Sequence, residues 1–224
     1  QTFDVTITHS NQNAYSTAGI TLNTNSSGTF KLSSAQGGQG IGGYDDNMPR
    51  AWEEVWDTGM TTNANFQKGV GSSTNISWKS PVVMGSSIQV AYAPDNDGVQ
   101  NNNKGVSGAS ASKGAGWDVV LDFGAGRPVN FFLGGSRTDK TDYKKSDQGL
   151  QNTRDVHEEA VVGLQFSFGP LQAGGQVSAE RLPTQTRDAT EYYGNTSWGV
   201  AFNVNDNLSI SYSEARHLQT KTKK

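Results

Sequence analysis

The sequence predicts an all-β fold, an antiparallel up-and-down β-barrel of the kind that crosses a membrane with strands. Three observations carry this. Apolar and polar residues alternate with a period of two from one end of the chain to the other. The polar side of that alternation is built from small neutral residues. The connections switch regularly between long and short.

The strands can be taken in order. Phe3, Val5 and Ile7 alternate with Asp4, Thr6 and Thr8. Ile20 and Leu22 lead into a turn at 23–28, after which Phe30 and Leu32 alternate with Lys31 and Ser33. Ile76 and Trp78 alternate with Ser77 and Lys79, and Ile88, Val90 and Tyr92 alternate with Gln89, Ala91 and Ala93. Two richer runs follow, 117–123 and 129–133. Val162, Leu164, Phe166 and Phe168 then alternate with Gly163, Gln165 and Ser167. Leu171, Ala173 and Val177 share their strand with Gln172, Gly174, Gln176 and Ser178. Trp198, Val200, Phe202 and Val204, and finally Leu208, Ile210 and Tyr212, complete a set of eleven strands.

Gln, Ser, Gly, Asn and Thr are too polar for a dry core and suit the wall of a water-filled lumen. The alternative for any one hairpin is a soluble sandwich with one solvated face. The connections separate the two. Those near 35–73, 94–116, 138–157 and 181–195 are long, while 81–85, 124–128, 169–170 and 205–207 are short. A barrel with tight turns on one side of a membrane has this rhythm, and a Greek-key sandwich has no reason for it. Aromatic residues such as Trp117, Phe123, Phe168, Tyr192, Tyr193, Trp198 and Tyr212 fall near strand boundaries, as in the aromatic girdles at membrane interfaces.

Composition agrees. Hydrophobic residues make up 33% of 224, with 27 Gly and 6 Pro, and mean hydropathy is −0.62. So polar a chain would struggle to fill a conventional core, which leaves two readings, much disorder or a fold with a wet interior. The charges, 18 basic and 21 acidic, are nearly balanced, and nothing in them suggests a nucleic-acid partner, which would want a concentrated basic face. With no cysteine, disulfides and thiol chemistry are excluded. No apolar run is long enough for a membrane helix.

The richest chemistry lies in the longest connection, at 44–57. Asp45, Asp46, Glu53, Glu54 and Asp57 cluster there with Arg50, Trp52 and Trp56. A loop this long in a compact fold is functional or disordered, and two tryptophans argue against disorder. Pro49 can start one helical turn over 51–56. The favoured reading is a constriction loop, 35–72, folded into the barrel so that Asp45, Asp46, Arg50, Glu53, Glu54 and Asp57 set the field across the narrowest part of the pore. The bland reading is a solvated acidic surface loop. A third takes Asp45, Asp46, Glu53, Glu54 and Asp57 as ligands for a bound Ca2+, which prefers oxygen donors, although the spacing is not that of an EF-hand. By alternation Lys31, Lys79, His157 and Glu159 face the lumen. His9, His157 and His217 are scattered and read as incidental rather than as metal ligands. No nucleophile elbow occurs, and the glycines at 37–43 lack the strand–helix setting of a phosphate loop. The chain is expected not to be an enzyme.

Four segments together resemble the Gram-negative outer-membrane general porins, in particular those of marine alphaproteobacteria. They are Asp45-Asp46-Asn47-Met48-Pro49 with Trp52-Glu53-Glu54 and Asp57-Thr58-Gly59; Ser73-Thr74-Asn75-Ile76-Ser77-Trp78-Lys79-Ser80-Pro81; Val90-Ala91-Tyr92-Ala93-Pro94-Asp95; and 198–204 with 208–213. Each is loose, and their order makes the match. The resemblance implies a trimeric barrel of about sixteen strands, whose third external loop folds into the pore. It also implies a signal peptide and a C-terminal strand ending in an aromatic residue. About sixteen strands would need about 320 residues, so 1–224 is expected to be one partial barrel domain with about eleven strands. The expected function is a water-filled channel in the bacterial outer membrane for passive diffusion of small polar solutes and ions, mildly cation-preferring. The expected partners are membrane lipid and lipopolysaccharide, two further copies in a homotrimer, and a phage or other surface ligand at the external loops. The alternative is a secreted soluble β-sandwich that binds carbohydrate through Trp52 and Trp56.

Overall fold

The computed structural model describes residues 1–8, 17–34, 40–44, 47, 67–70, 74–94, 113–124, 127–140, 155–181 and 190–221. They form eleven strands: β1 (Thr2–Thr8), β2 (Thr17–Asn23), β3 (Thr29–Ser34), β4 (Asn75–Lys79), β5 (Ser86–Ala93), β6 (Lys113–Phe123), β7 (Val129–Lys140), β8 (Asp155–Phe168), β9 (Leu171–Arg181), β10 (Thr190–Asn205) and β11 (Leu208–Lys221). All eleven lie in one sheet in strict chain order, each antiparallel to the next. A sandwich would divide them between two packed sheets. A short 3-10 helix, Gly40–Tyr44, follows β3.

The long–short rhythm holds from the first hairpin. Connections at 9–16, 35–74, 94–112, 141–154 and 182–189 alternate with turns at 24–28, 80–85, 124–128, 169–170 and 206–207. The constriction segment expected at 35–72 thus belongs to a connection that ends at residue 74. Local side-chain bonds shape the turns. Thr24 donates to the Gly28 carbonyl at 2.7 Å, and Asn205 Oδ1 accepts from the Asn207 N–H at 2.9 Å, as Thr and Asn do where the chain reverses.

Register places successive turns further along the sheet in one direction. The turn after β2 closes on the rung Thr29–Lys79–Gln89–Val120. The turn after β6 closes beyond Phe123 on that same strand, and the turn after β8 lies beyond the Phe131–Leu164 rung, at Phe168–Leu171. Such a stagger means tilted strands, the geometry that barrel closure requires.

The sheet is inverted relative to a water-soluble fold. Val177 is 51% exposed, while its neighbours Gln176 and Ser178 are 2% and 3% exposed. The same holds along the sheet. Phe3, Val5, Leu22, Phe30, Leu32, Trp117, Leu133, Leu164, Phe202 and Ile210 share the exposed face, and Ser33, Asn75, Ser77, Asp118, Ser136, Asn195 and Ser197 are buried on the other. The exposed face turns polar toward the long connections, where Arg137 pairs with Asp139 at 3.6 Å and Arg181 with Glu158 at 3.8 Å. Tyr92 and Trp117 lie toward that end on the apolar face, and Phe30, Phe123 and Phe168 lie beside the turns. Two aromatics depart from the expected girdles. Trp198 falls in the middle of the long strand β10, and Tyr193 takes the polar face, opposite Glu180.

Candidate functional site

The polar face gathers its ionisable groups on neighbouring rungs. One rung runs Lys31–Ser77–Ala91–Asp118–Ser136–Glu159–Glu180–Tyr193. Lys79 occupies the next rung toward the turns, and His157 the next toward the long connections, opposite Thr138. Lys31, Lys79, His157 and Glu159 therefore all lie on this face. Lys31 is half-buried and Lys79 exposed, whereas His157 and Glu159 are buried rather than bathed by solvent.

Both described ends of the connection 35–74 lie against this face. Ile41 and Tyr44 of the 3-10 helix pack on Val120, Phe132 and Val161, with the Tyr44 and Phe132 rings 4.8 Å apart. Val70 packs with Ala91 and Ala93. These apolar contacts exist because three strands break the strict alternation. Val120, Phe132 and Val161 sit between or beside outward-facing apolar neighbours, so they point inward and form an apolar landing on a polar wall. The doublets Val119-Val120, Phe131-Phe132 and Val161-Val162 are the sequence signal for this landing.

Carboxylates fasten the ends. Asp118 accepts the Val70 N–H with both oxygens, each at 3.1 Å. Glu159 accepts the Lys68 N–H at 2.9 Å, the Gly69 N–H at 2.6 Å and the Ser136 hydroxyl at 2.8 Å. Asp122 accepts the Tyr44 hydroxyl at 3.0 Å, and the Gln165 amide donates to the Asn47 carbonyl. Hydrogen bonds to a carboxylate are roughly twice as strong as neutral ones where the carboxylate is ionised. Burial, then the charge and hydrogen bond of Asp122, hold the Tyr44 phenol well above the ordinary phenol range, so it remains a donor. Gly40 and Gly69 both take left-handed backbone, and a Cβ on either would collide with the Asp118 carboxylate. The glycines read from the sequence as plain loop glycines thus include one on which the anchor depends.

Asp45, Asp46, Arg50, Glu53, Glu54 and Asp57, with the helical turn expected over 51–56, lie outside the described residues. Of the anchoring carboxylates Asp118, Asp122 and Glu159, only Glu159 was singled out by sequence, and Glu180, which faces His157 at 2.8 Å, was not. Among the described residues the one grouping of metal-type donors is His157, Glu159 and Glu180. It shares no residue with the calcium candidates.

No family model matches the chain, and no curated protein matches it. Among solved structures, a porin refined at 1.8 Å superposes with a TM-score of 0.53 over 90% of this chain, at 11% sequence identity. The fold is porin-like. The chain spans 56% of that porin's length, and its eleven strands are paired in sequence in one sheet. No helix among the described residues is long and apolar enough to cross a membrane, and a porin-like wall would cross with strands.

Proposed function

We propose that this chain forms the wall and inner loop of an outer-membrane channel through which small hydrophilic solutes and ions diffuse passively, with no catalytic step. The inverted sheet is the observation that carries this reading. Leaving one Leu, Ile, Val or Phe side chain in water forgoes about 1.5–3 kcal/mol. The apolar face exposes such residues on every strand but β5, which exposes Tyr92, so the sum reaches tens of kcal/mol, beyond the roughly 5–15 kcal/mol net stability of a folded domain. Lipid on that face removes the cost, and water along the polar face hydrates the buried polar groups.

The polar face also supports a cation preference. Its described strands carry Asp118, Asp122, Glu159 and Glu180 against Lys31, Lys79 and His157. The connection 35–74 adds Asp45, Asp46, Glu53, Glu54 and Asp57 against Arg50. A carboxylate-rich narrowing favours cations. The pinned ends of that connection support a constriction role for the segment between them. The porin likeness further supports a homotrimer set among outer-membrane lipid and lipopolysaccharide, with the long connections outward, where a phage or other surface ligand would meet them.

Planar-bilayer recording of the full-length protein tests the reading. Stepwise conductance is expected, with a reversal potential on the cation side in a KCl gradient. Changing Asp45, Asp46, Glu53, Glu54 and Asp57 to their amides is expected to move that potential toward zero. Absence of conductance steps would refute the channel, and anion selectivity that persists in the neutralised variant would refute the field.

A further inference from the structure

One constellation on the polar face has a geometry that a diffusion channel does not require. His157 on β8, Glu159 two residues on, and Glu180 on β9 point their donor atoms at one another, all within 4.8 Å. All three residues are buried. His157 Nε2 stands 2.8 Å from Glu180 Oε1 and 3.9 Å from Glu159 Oε1. We propose that these three side chains form a site for a divalent first-row transition-metal ion, with Zn2+ the natural probe. The proposal is independent of the channel reading.

Geometry supports it first. Ligands about 2.0–2.2 Å from a tetrahedral ion stand roughly 3.4 Å from one another. The two distances bracket that value, and the three donor atoms all lie within 4.8 Å of one another, so side-chain adjustment can bring them around an ion. One imidazole nitrogen and two carboxylate oxygens make a three-ligand set with an open fourth position. Ca2+ wants six to eight oxygens, which this set does not offer.

The surroundings hold the ligands ready. Glu159 is oriented by the Lys68 and Gly69 N–H groups and the Ser136 hydroxyl, the outer-shell restraint that metal-binding carboxylates use. Two buried polar groups at the site lack partners: His157 Nδ1, on a side chain 0% exposed, and Thr138 Oγ1, on a residue 1% exposed. Thr138 stands directly opposite His157 in the register. A metal on Nε2 requires the ring proton on Nδ1, and the Thr138 hydroxyl, which is not bonded to that nitrogen, would have to turn toward it to accept its hydrogen bond. Charge completes the case. Burying two carboxylates side by side is costly, and a dication held between them offsets that cost. Glu159 and Asp118 beside it have no lysine or arginine within ion-pair distance among the described residues.

Counting metal on the full-length protein in detergent, stripped with chelator and dialysed against Zn2+, tests the site. The expected result is one Zn2+ per chain, with His157→Gln and Glu180→Gln each weakening uptake at least roughly tenfold and His217→Gln leaving it unchanged. Co2+ in place of Zn2+ is expected to give a visible d–d absorption that His157→Gln abolishes. Heat-modifiable gel mobility shows which variants fold. Should His157→Gln fail to fold, Glu180→Asp keeps the charge, withdraws the ligand, and is expected to weaken uptake alike. Folded wild-type protein that takes up no stoichiometric Zn2+, uptake indifferent to the His157 or Glu180 substitutions, or preference for Ca2+ over Zn2+ would each overturn the proposal.

Discussion

Replacing Tyr44 with Phe deletes one oxygen and leaves the ring on Phe132 in place. The hydroxyl it removes donates to Asp122 Oδ2 at 3.0 Å. The other oxygen, Asp122 Oδ1, is buried and has no partner, so the substitution strands the whole carboxylate. A hydrogen bond to a charged group contributes about 1.5–3 kcal/mol, and about 1.4 kcal/mol is a factor of ten in an equilibrium constant. The docked-to-undocked ratio of the 3-10 helix should therefore fall roughly 10- to 150-fold. Native-state proteolysis of the connection 35–74 reads this directly, because cleavage follows the opening equilibrium when reclosing is fast. The Asp122→Ala background supplies the decisive control. There Tyr44 itself holds a stranded buried hydroxyl, so Tyr44→Phe should slow cleavage instead of speeding it. Cleavage of Tyr44→Phe within about twofold of wild type, or the same sign in both backgrounds, would refute the anchor.

Three further outcomes follow from the same structure. Gly69→Ala should loosen the connection strongly, since its Cβ collides with Asp118 and its φ is +56°, whereas Gly169→Ala, at φ +55° with open space around it, should cost only the left-handed penalty of about 1–2 kcal/mol; thermal unfolding and the proteolysis assay compare them. Leu164→Arg on the apolar face should cost about 2–4 kcal/mol at mid-membrane, while Ser213→Arg on the polar face should be tolerated; the heat-modifiable folded fraction after dilution into liposomes reports both. Because the Tyr44 pKa is raised on folding, its contribution is complete below about pH 10, the ordinary phenol value, and is lost as pH climbs toward the folded value. The absorbance difference at 295 nm between wild type and Tyr44→Phe should thus appear only well above that pH, and its appearance near pH 10 would contradict the buried hydrogen bond.

The strands, their number and their antiparallel order were legible in the sequence because a strand's two faces alternate locally. Phe30-Lys31-Leu32 or Val177-Ser178 declares its environment without reference to any distant residue. Turn chemistry at Thr24–Gly28 and Asn205–Asn207 is equally local. Alternation also assigned Lys31, Lys79, His157 and Glu159 to one face. What it could not supply was adjacency across strands. Glu159 and Glu180 are opposite one another only because the turn at 169–170 sets their register, and Asp118 meets Val70 only because the connection 35–74 returns to the wall. The inward Val120, Phe132 and Val161 depart from the alternation, and only the packing of Ile41 and Tyr44 on them accounts for it. Face is a property of single residues at a period of two, so composition and pattern determine it. Contact is a property of register and of where a long connection lands, so only the tertiary structure decides it.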